Sequence, residues 1–135
     1  MSSVLKYNRN LSPMEFENNA RKLMLYTIQR CGHFPKRYTF YLGVHLAKDA
    51  REMYSYIKRA NAKEPTTLAE AKIRRANFMQ AISLLWSMVG QIEIVKDLFR
   101  ISDNVMEEWM GMIDFELELL NGVMRTDANH MARLM

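Results

Sequence analysis

Apolar residues recur along this chain at spacings of three and four, the spacing that gathers side chains on one side of an α-helix, in four separate stretches. In the first, Phe16, Ala20, Leu23, Thr27 and Cys31 share a face. Ser12, Pro13 and Glu15 carry the cap, first-turn proline and capping-box acid of a helix start. Gly32 is expected to end the helix in the left-handed conformation, and Pro35 keeps Phe34 out of helical geometry. In the second stretch Leu46, Ala47, Ala50, Met53, Tyr54 and Ile57 form the apolar side, and Lys63, Glu64 and Pro65 make the next turn.

The third stretch opens on a capping box, Thr67 to Glu70, and runs to about Arg100. From Ala76 to Ile92 it has no charge, although Asn77, Gln80, Ser83, Ser87 and Gln91 interrupt it, so it reads as a buried helix rather than a membrane span. A helix with one wet face should carry charge there, which predicts burial on more than one side and contact with a second subunit. The fourth starts near Ser102-Asp103, with Val105, Trp109, Met112, Ile113, Leu117 and Leu120 as core and Asp103, Glu107, Asp114 and Glu118 as an acidic stripe. Gly122 ends or kinks it, and the tail from Arg125 either continues as helix or frays.

The pattern predicts one all-α domain over 1–135, an antiparallel up-and-down four-helix bundle with helices at about 13–31, 36–62, 67–100 and 103–122 and flexible ends at 1–11 and 123–135. Composition agrees: five Gly and three Pro leave few turns, and twelve Met suit a helical core. The single Cys31 forms no intrachain disulfide, and MSSVLKYNRN lacks the apolar run of a signal peptide, so the expected location is the cytoplasm.

Charge changes the picture more. Residues 1–75 carry 15 Lys/Arg and 6 Asp/Glu, whereas 76–135 carry 4 and 9. The basic excess gathers on the outer side of the second helix, at Arg37, Tyr41, His45, Lys48, Arg51, Ser55, Lys58 and Arg59, with Glu52 the one acid. Lys72, Arg74 and Arg75 follow near the start of the third helix. Such cations can neutralise phosphates, and Tyr41 or His45 can stack on a base. The same face equally fits plain solvation, or pairing with the acidic stripe. Catalytic chemistry is poorly represented: there is no Gly-rich phosphate loop, HExxH or CxxC. Cys31 with His33 lacks a third group, and Asp114, Glu116 and Glu118 with His130 lack the Glu-x-x-His of bundle metal sites. No catalytic residue, metal or cofactor is expected.

Residues 34–62, FPKRYTFYLGVHLAKDAREMYSYIKRANA, set a Pro and basic residues before an amphipathic helix with a basic end, and a long apolar helix follows. This order, over roughly 12–124, resembles the accessory variability determinant (Avd) proteins of diversity-generating retroelements, relatives of the ribosomal RNA intervening-sequence proteins. Pro35, Lys36 and Arg37 match the family's Pro-basic start of helix two, and Lys58 and Arg59 match its basic end. Gly122 matches the family's Gly near the end of helix four, with Val123 where Trp commonly stands. The resemblance implies a non-catalytic, homopentameric barrel that binds reverse transcriptase and RNA or DNA and supports mutagenic copying of a template RNA. The competing expectation is a homo-oligomeric protein-interaction module that binds no nucleic acid.

Overall fold

A computed structural model describes the backbone of residues 12–135 and the side chains from Glu15 onward. These residues are helical and contain no strand. Helix α1 is Ser12–Cys31. Helix α2 runs through three consecutive pieces: a turn, Lys36–Tyr38, a π-helical turn, Thr39–Gly43, and the α-helix Val44–Ala60. Helix α3 is Leu68–Leu98 and α4 is Asp103–Leu134.

Side-chain ties fix the order of packing. Lys58 and Asn61 reach back to Glu17 at 3.5 and 3.3 Å, so α2 returns along α1. Asp49 accepts from Ser87 at 3.1 Å and Gln91 at 2.6 Å, while Arg74 donates to the Ala60 carbonyl at 3.0 Å, so α3 returns along α2. Asn19 reaches Glu116 and Tyr26 reaches Val105, so α4 is antiparallel to α1. Each helix therefore packs on two neighbours, and α2 and α4 lie diagonally opposite. This is an up-and-down four-helix bundle.

The core follows the apolar spacing. Phe16 and Leu23 of α1, Leu46, Met53 and Ile57 of α2, Phe78, Leu85, Met88 and Ile92 of α3, and Trp109, Ile113 and Leu120 of α4 are all inaccessible. Burying each contributes about 1.5–3 kcal/mol. Phe16 meets Phe78 edge to face across the diagonal, with centroids 5.5 Å apart. The buried Trp109 indole donates to the Thr27 hydroxyl at 3.0 Å, which keeps that polar pair satisfied.

Three expectations change. Gly32 does not take a positive φ. Bonds of the i→i+3 type, His33 N–H to Arg30 at 3.0 Å and Phe34 N–H to Cys31 at 3.2 Å, tighten the end of α1 instead. The second helix is not one regular helix from residue 36, because the Val44 N–H bonds the Thr39 carbonyl in a π turn. Gly43 packs beside the end of α1, where a Cβ on it would make ordinary contacts of 3.4 Å with Phe34 Cδ2 and 3.6 Å with Cys31 Cβ. The fourth helix does not stop at Gly122 but continues to Leu134, so the tail takes the helical of its two expected forms. Within this chain α3 is buried on one side, leaving Met79 56% and Trp86 60% exposed where the expected subunit contact would fall. The Ser12 cap expected for α1 lies outside the described side chains.

Candidate nucleic-acid interface

The outer side of α2 presents His45, Lys48, Arg51, Lys58 and Arg59, all exposed. They project outward because Leu46, Ala50, Met53 and Ile57, interleaved at helical spacing, are held in the core. Two of these cations have acid partners: Lys48 lies 3.7 Å from Glu52 and Lys58 3.5 Å from Glu17. Both pairs are solvent-accessible on the lysine side and contribute little. Arg51 makes no ion pair among the described residues, and Arg59 stacks over the Tyr56 ring at 5.0 Å. Asp49 is turned aside to α3, where Ser87 and Gln91 hold its carboxylate, so it does not neutralise this face.

The acidic stripe leaves the face uncompensated too. Asp103, Glu107, Asp114 and Glu118 are exposed on α4, the diagonal partner of α2. No ion pair joins the stripe to α2 among the described residues. Pairing of the basic face with the stripe of its own chain is thus closed by topology.

Other predicted site residues are placed differently. The π turn inserts an extra residue, which carries Lys36 and Arg37 about 100° around from an ideal wheel. Both are exposed at the start of α2, with Arg37 over the Tyr38 ring at 5.0 Å. Tyr41 lies within the π turn together with Phe40, each 72% exposed, their ring centroids 5.4 Å apart edge to face. Phe40 is not among the residues that the sequence singles out, which are cations and their stacking partners. Lys72 is exposed at the start of α3. Arg74 is not an open cation: its guanidinium bonds Asp127 at 2.7 Å and the Ala60 carbonyl, and stacks on Phe78 at 5.0 Å. Arg75 faces α4, beside Glu118 and Arg125.

The residues weighed for chemistry are kept apart. Cys31 is buried, and burial pushes its thiol up to about 11, whereas His33 is exposed and bonded to the Gln29 carbonyl at 2.8 Å. Glu116, grouped by sequence with Asp114 and Glu118, is instead fully buried. No cluster of three or more metal-binding side chains forms among the described residues. No protein-family model matches this chain, and neither does any curated protein or solved structure.

Proposed function

We propose that this chain is an Avd-like accessory protein, a non-catalytic bundle that assembles into a homo-oligomeric, pentameric barrel in the cytoplasm. In this reading it binds reverse transcriptase and RNA or DNA, and supports mutagenic reverse transcription of a template RNA. The observation that carries the nucleic-acid part is the outward basic face of α2, where Arg51 and Arg59 have no ion pair among the described residues and which lies diagonally from the acidic helix α4. The partner and the barrel follow from the family resemblance of residues 34–62 and from the uncharged outer face of α3.

Fluorescence anisotropy with labelled single-stranded RNA and DNA tests the binding. Affinity should be measurable at low salt and fall steeply as salt rises, with a log–log slope of about −0.7 for each phosphate neutralised. The triple variant Lys48→Glu/Arg51→Glu/Arg59→Glu should lose it. Undetectable binding at low salt, or binding unchanged in the triple variant, rejects this part. A second reading is a protein-interaction module, favoured by the exposed apolar group Phe40, Tyr41 and Val44 at the π turn. Its signature is a partner that binds the α2 side without competition from nucleic acid.

A further inference from the structure

At the end of the bundle away from the Asn61–Thr67 connection, the end of α1 and the link from α3 to α4 line a half-open cavity of about 350 Å³. Its cationic wall is Arg30, His33 and Arg100, and its apolar wall includes Phe34, Phe99 and Ile101. Among the described residues no Asp or Glu lines it. Neither Arg30 nor Arg100 makes an ion pair among the described residues. Glu108 is the acid nearest Arg30 by named contacts, and it bonds the Tyr26 hydroxyl at 3.4 Å, whose ring Arg30 overlies at 5.7 Å.

The hydrogen-bonding around Arg30 is mismatched. Its Nη2 lies 3.2 Å from His33 Nδ1, and that same nitrogen lies 2.8 Å from the Gln29 carbonyl oxygen. One ring nitrogen cannot serve both: protonated, Nδ1 donates to Gln29 and offers Arg30 nothing, and unprotonated it accepts from Arg30. The Arg30 guanidinium, with several donors, thus has at most this one nitrogen as a side-chain acceptor among the described residues. An anion in the cavity would meet it, and Arg100 stands on the same cavity. The fork of an Arg suits phosphate oxygens in particular.

The volume says more than an inorganic ion would need, since it falls within the range of sites for small organic ligands. Phe99 is already stacked on Tyr38 at 5.2 Å and meets Phe34 edge-on at 5.0 Å, so the apolar wall is held by its own aromatic neighbours. We infer that this cavity binds a nucleotide through its terminal phosphate monoester, the phosphate on Arg30 and Arg100 and the planar base against the Phe99 and Ile101 wall. The phosphate can belong to a free mononucleotide or to the 5′ end of a strand. The site is separate from the outer face of α2 and does not rest on the nucleic-acid reading of that face.

Isothermal titration of the full chain with AMP, adenosine and a 5′-phosphorylated dinucleotide tests it. AMP should saturate and adenosine should not. Saturation by the dinucleotide alone would also support the site and assign its source to strand ends. Arg100→Gln, at an exposed position, should weaken binding about tenfold or more, the order of one charge-assisted hydrogen bond. Lys48→Glu/Arg51→Glu/Arg59→Glu should leave it unchanged. No saturation by either phosphate, or an Arg100→Gln chain of unaltered circular dichroism that binds as well as wild type, overturns the proposal. So does a loss in the α2 triple variant equal to that in Arg100→Gln.

Discussion

At the residue scale, the carboxyl of Glu116 sets the charge of the core. It is fully buried between α4 and α1, where one oxygen accepts from Asn19 Nδ2 at 2.9 Å and the other has no partner among the described residues. Burial pushes it up to about 8, against a smaller lowering from the Asn19 bond, so it is mainly protonated near neutrality. In the unfolded chain it titrates near the ordinary glutamate value of about 4.3. An acid raised in the folded state stabilises fully below the unfolded value and loses that contribution as pH climbs through the folded one. Stability should therefore fall between about pH 5 and 8, by up to about 1.4 kcal/mol per unit where the two states differ by a whole proton. Glu116→Gln keeps the amide contact and removes the titration. Urea unfolding across that range should slope in wild type and flatten in the variant, and parallel curves would refute the assignment. Glu70 does not confuse the window, because Lys63 and Thr66 lower it to about 2. The spacing Trp109, Ile113, Glu116, Leu120 already places Glu116 on the core face. Its charge argued for the surface, and no sequence rule says that Asn19, 97 positions earlier, stands opposite.

At the scale of elements, the C-terminal half of α4 clasps the turn between α2 and α3. Arg74 ties three helices at once, bonding Asp127 of α4 and the last carbonyl of α2 from its place on α3. His130 adds a contact from Nε2 to the Pro65 carbonyl at 3.1 Å. Both partners of the Arg74–Asp127 pair are mostly buried, at 14% and 21% side-chain exposure, so removing one strands the other. Arg74→Ala should cost about 2–3 kcal/mol in urea unfolding. Arg74→Lys should recover little, since a single ammonium cannot span the carboxylate and the carbonyl in the same fork. A loss below about 0.5 kcal/mol, the scale of an ordinary surface substitution, would show the clasp to be incidental. Most element starts and ends were legible: the Thr67 side chain accepts from the Glu70 N–H at 3.2 Å, as its capping box requires. Gly122 misled because a glycine inside a helix costs only about 1 kcal/mol, which a clasp formed between distant segments offsets. The π turn was equally hidden, since the apolar spacing of Leu46, Ala50, Met53 and Ile57 begins only after it.

At the scale of the molecule, α3 carries the sharpest consequence. Its inner stripe, Phe78, Leu85, Met88 and Ile92, completes the bundle core. Its outer side, Ala76, Met79, Gln80, Ser83, Trp86 and Ser87, is exposed and has no charge. The helix is long and apolar enough to cross a membrane by length and composition, with a mean hydropathy of 1.4 over its best window. Spanning would strip the inner stripe from three partner helices, whereas docking a second copy on the outer side keeps the core intact. The outer side also alternates small residues with Met79 and Trp86, a surface on which another helix can approach closely and be anchored by an aromatic. The proposed barrel thus predicts one stoichiometric oligomer at micromolar concentration, measured by sedimentation velocity. Met79→Glu/Trp86→Glu should give a monomer with unchanged helicity, because both side chains lie outside the core. Wild type that sediments as a monomer would remove the barrel, and an oligomer that survives the double variant would place its contacts elsewhere. The basic face of α2 lies on the helix next to this surface, so the two can be separated. The double variant should keep weak nucleic-acid binding per chain and lose only the gain that comes from holding several faces together.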